Sequence, residues 1–170
     1  MTKLSRLNDM DEADFVATIG HVFERSPWIA QRTYPKRPFE SVQSLHEKLV
    51  ATVRVSEESE KLDLIRAHPD LVGRMAREGR LTRESTAEQA AAGLTALSER
   101  EIELFDRYNA QYHERFGFPF IICARENRKD AILAAFPVRL TNNRGQEIDT
   151  ALAEIYKIAR LRLIDAIEED

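Results

Sequence analysis

The sequence predicts an all-α fold, a single-domain irregular bundle of about eight helices. Three observations indicate this. Apolar residues recur mostly with the period of a helix. Helix caps and helix-ending Gly or Pro residues punctuate the chain. No linker rich in Gly, Pro or Ser divides the 170 residues, which include only six Gly and six Pro. We therefore expect residues 1–170 to form one domain.

The first half of the chain is expected to consist of helices with short connections. The apolar stripe of the first helix consists of Phe15, Ile19, Val22 and Phe23. Ser26-Pro27 is expected to start a short second helix, because proline suits the first helical position. Further helices are predicted over 41–55, from a cap at Ser56 to about residue 67, and over 70–77.

The second half contains two motifs in which Glu follows Ser after three residues, Ser85–Glu88 and Ser98–Glu101. Each matches a capping box, which satisfies the free amides at a helix start. They are expected to open a short helix before Gly93 and a longer one to about residue 116. Helices over 129–140 and 146–166 complete the fold. The best strand candidate is 118–124, although its proline argues against a central strand.

Composition excludes several classes of protein. The chain has 25 basic and 29 acidic residues and a net charge of −4, so we expect no nucleic-acid partner, which would need a basic face. No window approaches the roughly 18 apolar residues of a membrane span. The single Cys123 is expected to be a buried small hydrophobe rather than a nucleophile. With neither a secretory signal nor a peroxisomal ending, we expect a cytoplasmic protein.

His68-Pro69-Asp70 is the first candidate for chemistry. His68 is predicted to lie at a junction between two helices, near the start of the second. The free amides and positive dipole end there favour an anionic ligand and a neutral imidazole suited to proton transfer. Alternatively, the histidine only ends a helix and binds the backbone.

Ser85-Thr86-Ala87-Glu88-Gln89 is the second candidate. Locally, the capping box is the favoured interpretation, with Glu88 folded back on the backbone of Ser85. The functional alternative is that this helix start faces a pocket. Ser85 and Glu88 would then offer a hydroxyl and a carboxylate to a polar ligand.

The apolar segment Phe116-Gly117-Phe118-Pro119-Phe120-Ile121-Ile122 is the third candidate. Its Gly and Pro exclude a regular helix, yet its backbone needs hydrogen-bond partners if it is buried. Those partners are either neighbouring helices and buried water or a polar ligand held against aromatic walls.

Arg162 is the fourth candidate. Ile148, Leu152, Ile155 and Ala159 define the inward face of the last helix, and Arg162 continues it. A buried guanidinium must be paired. Its partner is either a carboxylate of another helix or an anionic substrate. The other histidines, His21, His46 and His113, lack metal-ligand spacing, so no metal site is expected.

Together these segments resemble the 2-oxo-4-hydroxy-4-carboxy-5-ureidoimidazoline (OHCU) decarboxylase family. The resemblance covers nearly the whole chain. Single motifs are moderately specific for the family, and the full set in this order is highly specific. The segments that carry it are Val22-Phe23-Glu24-Arg25-Ser26-Pro27-Trp28, His68-Pro69-Asp70-Leu71, Leu81 to Gln89, Phe116 to Ile122, and Leu161-Arg162-Leu163.

The resemblance implies an enzyme that converts OHCU, a small molecule, to (S)-allantoin in urate degradation. It implies no cofactor and a homodimer. His68, Glu88 and Arg162 are implied as catalytic residues, with His68 managing the proton. The implied substrate-binding residues are Pro69, Ser85, Gln89, Phe118, Phe120, Ile121 and Ile122, the last four through the main chain.

Three other functions fit parts of the sequence. A non-enzymatic helical interaction module would expose the Phe118–Phe120 patch. A metal-dependent ureide hydrolase would need a carboxylate–histidine cluster, which the sequence does not suggest. A decarboxylase of a related ureido-imidazoline would use the same scaffold.

Overall fold

The computed structural model describes all 170 residues and confirms the all-α class. The chain forms ten α-helices, two short 3-10 turns and two strands of two residues each. The helices are α1 Leu4–Asp9, α2 Glu12–Ile19, α3 Trp28–Thr33, α4 Val42–Arg54, α5 Glu58–Ala67, α6 Arg74–Arg77, α7 Arg83–Ala91, α8 Glu99–Phe116, α9 Lys129–Arg139 and α10 Arg144–Ala166. The strands β1 (Thr2–Lys3) and β2 (Ile167–Glu168) pair in parallel.

Contacts divide the chain into two compact units. Unit 1 consists of Met1–Ala67 and Tyr156–Asp170, and unit 2 consists of His68–Ile155. Helix α10 contributes residues to both. No helix combines the length and the apolar character that crossing a membrane requires.

The core of unit 1 forms around the aromatic ring of Phe15, which is fully buried. That ring packs edge-on against Tyr34 at 5.5 Å and stacks with Phe39 at 6.1 Å between ring centroids. Asp11 and Ser41 cap α2 and α4, because their side chains accept the amide three residues further on.

The core of unit 2 is built on α8. As the sequence predicts, Ser98 and Glu101 form a reciprocal capping box at its start. The helix ends at Gly117, which adopts the left-handed conformation with φ +76°; this favours glycine because it lacks a Cβ. Phe105 and Phe136 of α9 meet edge-on at 6.1 Å between ring centroids.

Several local predictions for unit 1 are wrong. Helix α2 stops at Ile19, so Val22 and Phe23 are buried from the turn that follows rather than from a helical stripe. The Ser26 hydroxyl does not cap α3, because it donates to the carbonyl of Glu24 at 2.9 Å. The Ser56 hydroxyl likewise donates backwards, to the last turn of α4.

One predicted helix of unit 2 also starts in the wrong place. The helix expected over 70–77 begins only at Arg74, because residues 70–73 form a turn. Residues 118–123 are irregular and pair with no strand, which agrees with the presence of a proline there.

Candidate active site

His68 follows directly on α5 and is buried, with 8% of its surface exposed. Pro69 ends the helix, and the chain then turns sharply. Val72 has φ +56°, which is unusual for a β-branched residue. A Cβ at Gly73 would lie 2.7 Å from the Cβ of Asp70, so only glycine fits without a shift. We call residues 68–73 the histidine turn.

Side chains of α7 and α8 hold the histidine turn in place. The Gln89 carbonyl oxygen accepts from the amide of Val72 at 3.0 Å, and its NH₂ donates to the Asp70 carbonyl at 3.4 Å. The Asn109 NH₂ donates to the Leu71 carbonyl at 2.9 Å. His113 Nε2 lies 2.7 Å from Asp70 Oδ1. The turn that carries His68 is therefore fixed by bonds to its backbone and to Asp70.

The capping interpretation of Ser85 and Glu88 is wrong. Helix α7 begins at Arg83, and its cap is Thr82, whose hydroxyl oxygen accepts from the amide of Ser85 at 3.3 Å. Ser85 and Gln89 are four residues apart on one buried face, each 5% exposed. Glu88 is half-buried beside them. Thr82, three positions before Ser85, is also a suitable capping residue, and it is the one that caps α7.

The aromatic segment, residues 116–122, is buried at Phe118, Phe120 and Ile121, whereas Ile122 is partly exposed. The ring of Phe120 stacks on Phe136 with 3.8 Å between centroids. Because Phe118 and Phe120 are buried, the exposed patch that an interaction module would need is not found.

A buried polar network that the sequence analysis missed lies behind the aromatic segment. Arg139 donates to Glu147 from Nε at 2.9 Å and to the Ile121 carbonyl from Nη1 at 2.5 Å. Glu147 also accepts from the Tyr112 hydroxyl and, at 2.8 Å, from Asn142. Burial, followed by the hydrogen bond to Glu147, raises the pKa of Tyr112 above its usual range. Helical register was the available signal, since Arg139 lies three residues after buried Phe136.

Arg162 belongs to unit 1, where it forms a buried ion pair. Its Nη1 lies 2.9 Å from Glu24 Oε2, with side-chain exposures of 3% and 2%. The same nitrogen is 3.4 Å from the carbonyl of His21. The inward placement predicted for Arg162 is confirmed. Of the two partners left open, the structure shows a carboxylate, which lies in a turn rather than in another helix. Glu24 itself was overlooked, although a buried arginine demands such a partner.

The predicted site residues thus fall into two groups. Unit 2 holds His68, Pro69, Ser85, Glu88, Gln89 and the aromatic segment, and Gln89 bonds the histidine turn to α7. Arg162 lies in unit 1. No group of three or more His, Cys, Asp or Glu side chains is arranged to hold a metal ion.

A buried histidine on a braced turn, beside a helix bearing a hydroxyl and a carboxylate, is the kind of site found in an enzyme. The fold and this site together define a small all-helical enzyme. Residues 8–164 match the sequence model of the OHCU decarboxylase family. The chain belongs to this family, and the predicted resemblance is confirmed.

Named relatives agree with this assignment over nearly the whole chain. OHCU decarboxylase of Haloferax volcanii is 40% identical over 167 residues, 98% of this chain and 97% of its own length. The enzyme of the same name from Amia calva is 41% identical, and the match covers 97% of this chain and 94% of its own length. A crystal structure of (S)-allantoin synthase superimposes with a TM-score of 0.81 at 27% identity. That match covers 99% of this chain and 54% of the synthase chain.

Proposed function

We propose that this protein decarboxylates OHCU to (S)-allantoin in urate degradation. The observation that carries the proposal is the 40% identity, over 98% of the chain, to a relative named for this reaction. The motifs around His68, Ser85 and the aromatic segment, which carry the resemblance to the same family, agree with it.

The reaction needs an electron sink and a controlled proton. Loss of carbon dioxide leaves an electron pair on the ring carbon, and the adjacent C=N of the imidazoline accepts it as an enamine-like system. Because the substrate supplies its own sink, we propose that no cofactor takes part. The protein must then align the carboxylate with the π system and deliver a proton to one face.

We assign proton management to His68, at the hydroxyl and carboxylate end of the substrate. The bonds from Gln89 and Asn109 to the backbone of its turn support this role, because a proton-transfer group must be held in a fixed geometry. Pro69 fixes the position of His68 at the end of α5.

We assign substrate orientation to Glu88 and Arg162 through charge-assisted hydrogen bonds. Ser85 and Gln89 would bind polar groups of the substrate. The main chain of Phe118, Phe120, Ile121 and Ile122 would contact the imidazoline ring. In this proposal Arg162 binds the substrate carboxylate while its ion pair with Glu24 sets the plane of the guanidinium.

The protein is further proposed to act as one domain, as a homodimer and in the cytoplasm, without a nucleic-acid or membrane partner. The net charge of −4 supports the absence of a nucleic-acid partner.

The test generates OHCU in situ from urate and follows its decay and the optical activity of the product with and without the protein. We expect faster decay and enantiopure (S)-allantoin. A His68→Asn variant that keeps the wild-type circular dichroism spectrum should lose both effects, whereas His21→Asn, at an exposed side chain, should keep them. If the wild-type protein does not accelerate the decay, the proposal fails. If it then turns over a related ureido-imidazoline, that compound replaces OHCU as the proposed substrate.

A further inference from the structure

We infer that Arg139 is a positioning residue of the proposed decarboxylase, which acts by holding the main chain of the aromatic segment through the carbonyl of Ile121. This inference rests on the proposed function, because that function gives the segment its contact with the imidazoline ring.

Arg139 fixes the segment at two neighbouring residues. Its Nη1 donates to the Ile121 carbonyl at 2.5 Å, and its guanidinium carbon lies 4.2 Å from the ring centroid of Phe120. One planar group therefore restrains both a peptide plane and an aromatic ring. Arg139 is itself buried, with 8% of its surface exposed, so water competes little for these contacts.

Glu147 in turn fixes Arg139. The carboxylate is fully buried in the first turn of α10 and accepts from Arg139 Nε at 2.9 Å, from the Tyr112 hydroxyl and from Asn142. Because a guanidinium is a rigid fork, a bond at Nε sets the direction in which Nη1 points. The position of the Ile121 carbonyl is therefore determined by a carboxylate on another helix.

Stability alone does not account for this arrangement. A buried ion pair is often no more stabilising than apolar side chains of the same volume. The aromatic segment, however, has no strand partner and contains Pro119. An irregular main chain that must present its groups to a ligand needs an outside anchor, and a charged donor is a stronger anchor than a neutral one.

The experiment compares Arg139→Lys with a matched control, Arg37→Lys. Lysine keeps the charge near Glu147 but cannot bond Glu147 and the Ile121 carbonyl in the fork geometry. Arg37 in unit 1 makes the same kinds of contact to main-chain carbonyls and to an aromatic ring. It donates to the carbonyls of Asn8 and Met10, at 2.5 and 2.9 Å, and lies 3.7 Å from the ring centroid of Tyr34. Both variants lose a guanidinium that binds main chain and an aromatic ring.

Two readouts separate positioning from stability. The first is kcat and KM for OHCU at a temperature well below both unfolding midpoints. The second is the enantiomeric purity of the allantoin, measured with enzyme concentrations adjusted to equal turnover so that spontaneous decay contributes equally. For Arg139→Lys we expect kcat/KM to fall about ten- to a hundredfold, mostly in kcat, because the ring is misoriented. We also expect enantiomeric purity to fall.

Arg37→Lys should lose stability but keep kcat/KM within about twofold of the wild type. Glu147→Gln keeps a neutral acceptor for Nε. Its kcat/KM should therefore fall by less than that of Arg139→Lys and by more than that of Arg37→Lys. Unchanged kcat/KM and purity in a folded Arg139→Lys variant, or equal losses in Arg37→Lys, would overturn the inference while leaving the proposed function intact. A wild-type protein that does not turn over OHCU would overturn the proposed function and the inference together.

Discussion

Replacing Gln89 by Met should destabilise the protein through the histidine turn. Methionine has nearly the same length and volume, so the packing of α7 is retained. The substitution removes the acceptor of the Val72 amide, at 3.0 Å, and the donor to the Asp70 carbonyl, at 3.4 Å. The measured effect is therefore that of two hydrogen bonds to a backbone turn.

The structure gives the magnitude. Val72 is 5% exposed, so its amide would be left without an acceptor away from water; that costs about 1–3 kcal/mol. The bond to Asp70 is long and adds little. We expect the free energy of unfolding to fall by about 2 kcal/mol, and the melting temperature by about 4–8 °C for a chain of this size.

Urea denaturation followed by circular dichroism gives the free energy of unfolding. The control is Gln43→Met in α4, because the Gln43 amide bonds only to Glu47, one exposed helical turn away. That variant should remain within about 0.5 kcal/mol of the wild type. If the two methionine variants are equally stable, the idea that Gln89 holds the histidine turn is refuted.

Three further predictions concern buried ionisable groups. Arg162→Met leaves the Glu24 carboxylate, 2% exposed, without its arginine. It should lower the free energy of unfolding by about 3–5 kcal/mol, and a double variant with Glu24→Leu should recover most of this; a double variant as unstable as the single one would contradict the ion-pair argument. Burial raises the pKa of the Cys123 thiol to about 11, so iodoacetamide should label it slowly in the native protein and quickly in urea, and fast native labelling would show that it is accessible. Burial lowers the pKa of His46 in the folded state. Below about pH 6.5 the unfolded chain therefore binds the proton more readily, and stability should fall as pH drops from that value towards the folded pKa. His46→Gln should reduce this loss, as measured by urea midpoints at about pH 7.5 and about pH 5.5.

Most helices could be predicted from local patterns, because caps and apolar periodicity act within a few residues. The capping box at Ser98 shows this directly. The same rule misplaced the start of α7, because Thr82 and Ser85 can both cap and the pattern does not rank them. Helix α2 was predicted too long because the apolar stripe continues into the buried turn that follows it. Burial alone does not distinguish a turn from a helix.

For the candidate site, sequence could identify groups but not their partners. The inward placement of Arg162 followed from helical register, yet Glu24 is 138 residues away in the chain, and no local rule relates them. Arg139 and Glu147 are only eight residues apart. Arg139 is the one charged residue of the apolar stretch 131–140, and Glu147 follows the polar stretch 142–146. Neither stretch indicates that the two side chains bond, because only the tertiary fold encloses them.

Val72, with φ +56°, gives the histidine turn a further property. A β-branched residue resists this conformation, at a cost of about 1–3 kcal/mol. The strained backbone is therefore held in this conformation by hydrogen bonds from the side chains of Gln89 and Asn109. Loss of either side chain would let the histidine turn relax. A substitution some distance from the imidazole of His68 would therefore displace that ring. Glycine in place of Val72 would relieve this backbone strain. The position of His68 would then depend far less on the side-chain amides of Gln89 and Asn109.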